Sequence, residues 1–177
     1  MTPPNELLRN LPSSARLWVF AVGRPLSEPE EAALLGRVDT FIRAWAAHGH
    51  PLAASREWLY GRFLLVGVDD RVAPPSGCSI DSLVHMLRDL EGELGTEIVG
   101  GASVWFRGKG PQGEIRRASR PEFRTEASEG RISEDTVVFD LSITRVSELR
   151  EGKWEVPARD SWHRRYLEGA QPNTSAR

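Results

Sequence analysis

The chain has 177 residues, of which 40% are hydrophobic and 27% charged, and its formal net charge is −2 at pH 7. A chain of this size can bury a core without disulfides, and its charge gives no global attraction to nucleic acid or anionic membranes. It has no apolar run near the roughly 18 residues that a membrane span needs. Residues 1–14 lack the apolar segment of a signal peptide, and the single cysteine, Cys78, cannot form an internal disulfide, so we expect a cytoplasmic protein.

The first predicted elements are a buried strand and an amphipathic helix. Residues 17–22 are apolar on both faces, which is typical of a strand inside a sheet. Ser27 and Glu30 have the spacing of a capping box, which predicts a helix start. The apolar stripe of this helix runs to Trp45, and Gly49 lies where the helix has ended.

Later segments add three strands and one helix. The strands are predicted at 53–60, 63–68 and 103–107, and Gly61 supplies the turn between the first two. The helix precedes its C-cap at Gly95 and presents an apolar face of leucines. The order is therefore βαββαβ, with its first and third strands apolar on both faces. This pattern predicts an α+β fold: a ferredoxin-like core with a four-stranded antiparallel sheet and two helices on one face.

Composition divides the chain into four segments. Residues 1–14 are predicted to be a flexible leader and 168–177 a disordered tail, because both have little apolar surface to bury. The ferredoxin-like core is assigned to 15–107. Residues 108–167 form a C-terminal β/α extension, which we expect to pack on the core because an independent domain of about 60 residues would be marginal.

Local signals also predict elements inside the extension. Residues 114–118 can pair back on the preceding strand as a hairpin, and Ser119 with Glu122 forms a second capping box. A strand is predicted at 136–143 and a helical turn at 147–150.

Cys78 is the first candidate for chemistry. If Ser79 caps the second helix, Gly77 and Cys78 lie at the positive end of the helix dipole, where an anion or a thiolate is favoured. We therefore predict an anion-binding site at Gly77, Cys78, Ser79 and Asp81, with Cys78 as the candidate catalytic nucleophile. The alternative is a small buried thiol beside an ordinary N-cap, with Asp81 placed only to suit the dipole.

The four histidines are considered as a general base for Cys78 and as metal ligands. His85 is seven residues after Cys78, roughly 10 Å along a helix at about 1.5 Å per residue, which is too far for a direct pair. His163 is a possible base whose position the sequence does not give. His48 and His50 lack a nearby third ligand, and a histidine in a last helical turn is favoured by the dipole alone. We predict no metal and no cofactor.

The C-terminal segment combines aromatic and basic residues. Candidate partner-binding residues are Trp105, Trp154, Trp162, His163 and Arg164. Basic residues outnumber acidic ones between 103 and 125, where they are Arg107, Lys109, Arg116, Arg117, Arg120 and Arg124. A basic face with aromatic rings beside a four-stranded sheet could bind RNA, although the paired aromatic residues of an RRM signature are absent. The alternative is a solvated charged surface above buried tryptophans.

Several motifs together resemble a known bacterial family. They are Leu17-Trp18-Val19-Phe20, Trp45-Ala46-Ala47-His48-Gly49, Ser76-Gly77-Cys78-Ser79-Ile80-Asp81 followed by Val84-His85, and Trp154-Glu155-Val156-Pro157 with Ser161-Trp162-His163. The chain resembles, over nearly its whole length, a family common in Bacteroidetes that is often labelled "ABC transporter ATPase". The resemblance implies a family name more than a mechanism.

The motif chemistry does not fit that label. An ATPase of this type holds phosphates with G-x-x-x-x-G-K-[ST] at a strand-to-helix turn. The glycine-rich stretches at 100–101 and 108–113 both lack the Lys-Ser/Thr ending, and Pro111 removes an N–H group that such a turn would use. We therefore predict that the chain is not an ATPase.

A second resemblance concerns the extension. Trp105-Phe106, Ser119 with Glu122-Phe123, and the stretch from Glu129 to Phe139 look somewhat like GYF-type modules. Such a resemblance implies an aromatic surface that binds proline-rich peptides.

Three hypotheses for function follow. The first is a non-catalytic cytoplasmic binding or adaptor protein with a protein partner and no membrane contact. The second is a small thiol-dependent or anion-binding enzyme centred on Cys78. The third is an RNA-binding protein that uses the basic residues of 103–125 and 159–166, although we do not expect nucleic acid to be the main partner. Whether the protein is an enzyme stays open at this point.

Overall fold

The computed structural model describes residues 6–110 and 112–168. Within this part of the chain, residues 6–100 and 141–151 form one compact unit, and residues 101–140 and 152–168 form a second. None of the described helices has the length and apolar character that crossing a membrane requires.

Both units combine short strands with helices. In chain order they are β1 (Arg16–Ala21), α1 (Glu28–Ala44), β2 (Ala46–Ala47), β3 (His50–Pro51), β4 (Ala54–Leu59), β5 (Phe63–Val68), α2 (Gly77–Leu94), β6 (Ser103–Arg107), β7 (Ile115–Ser119), α3 (Arg120–Ser128), β8 (Val137–Phe139), α4 (Val146–Arg150) and β9 (Glu155–Pro157), followed by 3₁₀ helices at Ala158–Asp160 and Trp162–Tyr166.

The first unit contains a three-stranded antiparallel sheet in the order β1-β5-β4. Every residue of the central strand β5 is buried, as a strand that is apolar on both faces requires. Leu17 pairs with Gly67 and Phe20 with Leu64, so the prediction that the two apolar strands are neighbours is confirmed. Side chains from α1 and α2, such as Leu34 and Leu87, complete the core on one face of this sheet.

The helix ends follow local capping signals. The capping box of Ser27 and Glu30 is present at the start of α1, as predicted. The second helix begins earlier than expected: Ser76 is its N-cap and accepts the Ser79 N–H at 3.2 Å, so the assignment of Ser79 as N-cap is wrong. The helix ends at Gly95, which has a positive φ of 59°, as its predicted role requires.

The fold class is α+β, but the predicted ferredoxin-like sheet of four strands within 15–107 is not formed. Its fourth strand, β6, lies in a separate sheet of order β7-β6-β8-β9. Residues 144–145 approach β1 instead: the Leu17 N–H donates to the Thr144 carbonyl at 2.8 Å, and Arg16 forms a β-bridge with Arg145. Because these residues lie beside β1, and because β6 finds a hairpin partner across a short turn, the first sheet stays at three strands.

The predicted flexible leader is packed where the structure describes it. Leu7, Leu8 and Leu11 are all buried. The Arg150 guanidinium donates to the carbonyls of these three residues, at distances from 2.9 to 3.4 Å. The prediction of a flexible leader gave more weight to the prolines and polar residues of this segment than to its leucines. Residues 1–5 of the predicted leader and 169–177 of the predicted tail lie outside the described residues.

The second unit is built on the hairpin of β6 and β7. The pairing of Val104 with Ala118 confirms this hairpin, and the capping box of Ser119 and Glu122 opens α3. Phe106, Phe123 and Tyr166 belong to its core. The chain therefore divides before β6 and not at residue 108, and 141–151 belongs to the first unit.

Candidate functional site

Cys78 lies in the first turn of a long helix, inside the helix and not just before it as the assignment of Ser79 as N-cap implied. It is the second residue of α2, and it is exposed, so the alternative of a buried thiol is wrong. Gly77 and Asp81 are exposed as well. Ser79 is buried, with its hydroxyl donating to the Ser76 carbonyl at 2.8 Å and its N–H used in capping. Ser79 is therefore occupied within the helix start and does not face a ligand; the role of Cys78 stays a prediction.

Two of the sequence motifs meet near this helix start. The Trp45 indole N–H donates to the Ser79 carbonyl at 2.8 Å, which ties the end of α1 to the first turn of α2. His48 has a φ of 50° and forms, with Gly49, the turn between β2 and β3. Within the described residues, no group of three histidine, cysteine or acidic side chains gathers as metal ligands.

Most of the predicted partner-binding aromatic residues are buried. Trp105, Trp154 and His163 are 2%, 4% and 2% exposed. Their apolar surface serves packing, so they do not form a binding surface; only Trp162 and Arg164, of the five predicted residues, reach solvent. The aromatic residues behind the GYF-like resemblance are likewise buried, namely Trp105, Phe106, Phe123 and Phe139.

Three arginines gather where α3 meets the last 3₁₀ helix. Arg120 and Arg124 are one turn apart on α3, and Arg165 lies on the 3₁₀ helix. The Arg124 guanidinium lies 5.7 Å from the Tyr166 ring centre, and that of Arg165 lies 4.7 Å from the ring of Trp162. We call Arg120, Arg124 and Arg165, with these two rings, the arginine patch.

Packing beneath the patch positions its members. Phe123 of α3 lies 6.2 Å from the Tyr166 ring and 6.3 Å from the His163 ring, which connects the two elements through the core of the unit. His163 stacks on Trp162 with 3.8 Å between ring centres. The Trp162 indole N–H donates to Asp140 at 3.0 Å, which holds the indole in place.

The positive charge of the patch is not matched by nearby negative charge in the described chain. All three arginines are exposed, and none has a carboxylate partner among the residues that the structure describes. Arg164, next in the chain, pairs with Glu168 at 3.2 Å. Burial lowers the pKa of His163 to about 4; Asp140 opposes this change, and the positive charges of Arg165 and Arg120 add to it. The patch is thus a cluster of positive charge beside a neutral imidazole.

The two halves of this patch are visible in the sequence as separate basic segments, but their proximity is not. The basic segments 103–125 and 159–166 contain all three arginines, but the predicted partner-binding residues included Trp162 and not Arg165 or Tyr166. Arg165 and Tyr166 follow Trp162 by three and four residues, which is about one turn of a helix. This spacing could have indicated that the three side chains lie together in one half of the patch. Comparison of the chain with family models, curated proteins and solved structures finds no match.

Proposed function

We propose that the protein is a non-catalytic binding protein whose second unit holds an acidic segment of a partner protein on the arginine patch. The observation that carries this proposal is the clustering of Arg120, Arg124 and Arg165, exposed and without carboxylate partners in the described chain. Arginine suits this role because its planar guanidinium presents five donors that match carboxylate groups.

The free protein gains little from this arrangement. Arg120 and Arg124 are like charges at i and i+4, which is unfavourable on a helix surface. Arg120 is also the first residue of α3, where the helix dipole disfavours a positive charge. A partner's carboxylates would relieve both costs and would form charge-assisted hydrogen bonds with the same groups.

The patch suits an acidic peptide better than single-stranded RNA. RNA binding of this kind depends on free aromatic faces on which bases stack. His163 stacks on Trp162 with 3.8 Å between ring centres, and the Arg165 guanidinium lies 4.7 Å from the same ring, so both occupy space that a stacking base would need. Tyr166 is 6% exposed. The rings support the guanidinium groups and do not offer a stacking platform.

A fluorescence anisotropy titration tests the proposal. The probes are a short labelled peptide rich in glutamate, a lysine-rich peptide of the same length, and a single-stranded oligouridine, at about 50 mM salt, where charge contacts are less screened than at physiological ionic strength. We expect the glutamate peptide to bind most tightly. In the double variant Arg120→Glu, Arg124→Glu, two reversed charges at about 1 kcal/mol each should weaken its binding at least tenfold.

The control is Arg88→Glu, which makes one charge reversal of the same kind at an exposed position of α2 in the first unit and is compared with the single variant Arg124→Glu as well as with the double variant. This variant should bind the glutamate peptide like the wild type. Equal losses in the control and the double variant, or no loss in either, would contradict the proposal. Tighter binding of oligouridine than of the peptide would instead support the RNA hypothesis.

A further inference from the structure

The glycine-rich turn between β6 and β7 borders a cleft of about 610 Å³ in the second unit. The turn contributes Lys109 and Gly110, β7 contributes Arg116, and the loop before β8 contributes Arg131, Ser133 and Asp135. We call this the glycine-turn cleft. Its volume lies within the roughly 300–1,000 Å³ that is usual for small-molecule sites.

One basic residue of the cleft is used internally. Arg107, at the end of β6, has only 7% of its side chain exposed. Its Nε donates to Glu155 at 2.5 Å, and a terminal nitrogen donates to the Gly113 carbonyl at 3.2 Å. Arg107 therefore holds the turn against β9, and we assign it no ligand.

Two further arginines are held in place but stay open to the cleft. Arg116 makes a two-point pair with Glu126 at 2.9 and 2.8 Å and lies 5.0 Å from the Phe106 ring centre. This pair uses two of its five N–H groups, and 40% of the side chain is exposed. Arg131 pairs with Glu129, and 56% of its side chain is exposed. Arg131 Nε also lies 3.9 Å from Glu126, and both guanidinium groups keep N–H donors for a ligand.

The remaining charges of the lining leave an excess of positive charge. Lys109 is exposed and has no carboxylate partner within the described chain. Asp135 is the acidic member of the lining, and Arg159 pairs with it. Ser133, also exposed, adds a hydroxyl group at the same wall. The cleft thus presents donors and positive charge, together with the apolar side chain of Val137.

We infer that the glycine-turn cleft binds a small organic molecule that carries a phosphate or carboxylate group. Lys109 and Arg131 contact the anionic group, and Arg116, whose charge Glu126 offsets, supplies N–H donors that this pair holds in place. Gly110 has a φ of 86°, so the shape of the turn itself depends on glycine. The site differs from an ATPase phosphate loop, because the turn joins two antiparallel strands and its lysine is not followed by a helix. It is independent of the arginine patch.

Isothermal titration calorimetry with defined probes tests this inference. Glucose 6-phosphate tests for a phosphate group, citrate for carboxylate groups, and glucose serves as the neutral control. We expect at least one of the two anions to bind with a Kd below about 1 mM, and glucose not to bind. Lys109→Glu and Arg131→Gln should each weaken that binding at least fivefold, whereas Arg88→Glu and the double variant of the arginine patch should leave it unchanged.

Two results would overturn the inference: no heat from either anion up to about 10 mM, a concentration that detects even weak sites, or equal affinities in wild type and Lys109→Glu. Lys109 is exposed in a turn, so its substitution should preserve the fold, and Lys109→Ala provides a second variant without the added negative charge. Because loss of cleft binding and loss of peptide binding follow from different variants, failure of one proposal is distinguishable from failure of the other.

Discussion

Acidification should destabilise the second unit through one buried imidazole. His163 is 2% exposed, and its Nδ1 lies 2.7 Å from the Ser161 hydroxyl. Burial lowers the pKa of His163 from 6.5 to about 4, so the folded protein keeps the ring neutral at pH values where the unfolded chain protonates it. The unfolded state therefore binds more protons between these two values.

The sign and size of the effect follow from this difference. Stability from the neutral ring is complete above the unfolded pKa of 6.5 and is lost as the pH falls through the folded pKa of about 4. The whole window corresponds to roughly 3 kcal/mol, at about 1.4 kcal/mol per pH unit, and about 2 kcal/mol of this is lost between pH 7 and pH 5. The carboxyl group of Glu30, whose hydrogen bonds with Arg24 lower its pKa to about 2, stays ionised over that range.

The loss of unfolding free energy can be measured by urea unfolding at pH 7 and at pH 5. The transition is followed through amide resonances of the second unit. His163→Phe is the comparison, because it keeps an aromatic ring against Trp162 and removes the titrating group. The wild type should lose about 2 kcal/mol more than the variant between the two pH values. Equal losses in both proteins, or an NMR titration of His163 with its midpoint near 6.5, would refute the reasoning.

Three further predictions concern the first unit. A Cβ at Gly67 would lie 2.5 Å from a Leu11 δ-carbon, so Gly67→Ala should cost about 1–3 kcal/mol by thermal denaturation, whereas Gly92→Ala on α2, which meets nothing within 4 Å, should be neutral or stabilising. Arg150→Met should release the carbonyls that it holds near the N-terminus and make residues 6–14 sensitive to limited proteolysis; unchanged cleavage would argue against the clamp. Iodoacetamide should modify exposed Cys78 in the native protein without changing the circular dichroism spectrum, and protection until urea is added would show that the thiol is covered.

Local signals in the sequence determined most of the elements. Ser27 with Glu30, Ser119 with Glu122, and Gly95 set helix ends because each acts on backbone groups only a few residues away. The apolar run at 63–68 predicted a central strand because side chains on both of its faces must be buried.

The proximity of distant segments follows from the folded chain and not from local patterns. Strand β6 ends the βαββαβ order in the sequence, but its partners β7 and β8 placed it inside the second sheet, where residues 104–107 are buried. The same pattern of aromatic and basic residues is compatible with burial and with exposure, and packing buried Trp105 and Trp154 while leaving Trp162 at the surface. The arginine patch joins residues some 40 positions apart through the rings around Phe123; because such contacts depend on the folded core, no local pattern of residues could reveal it.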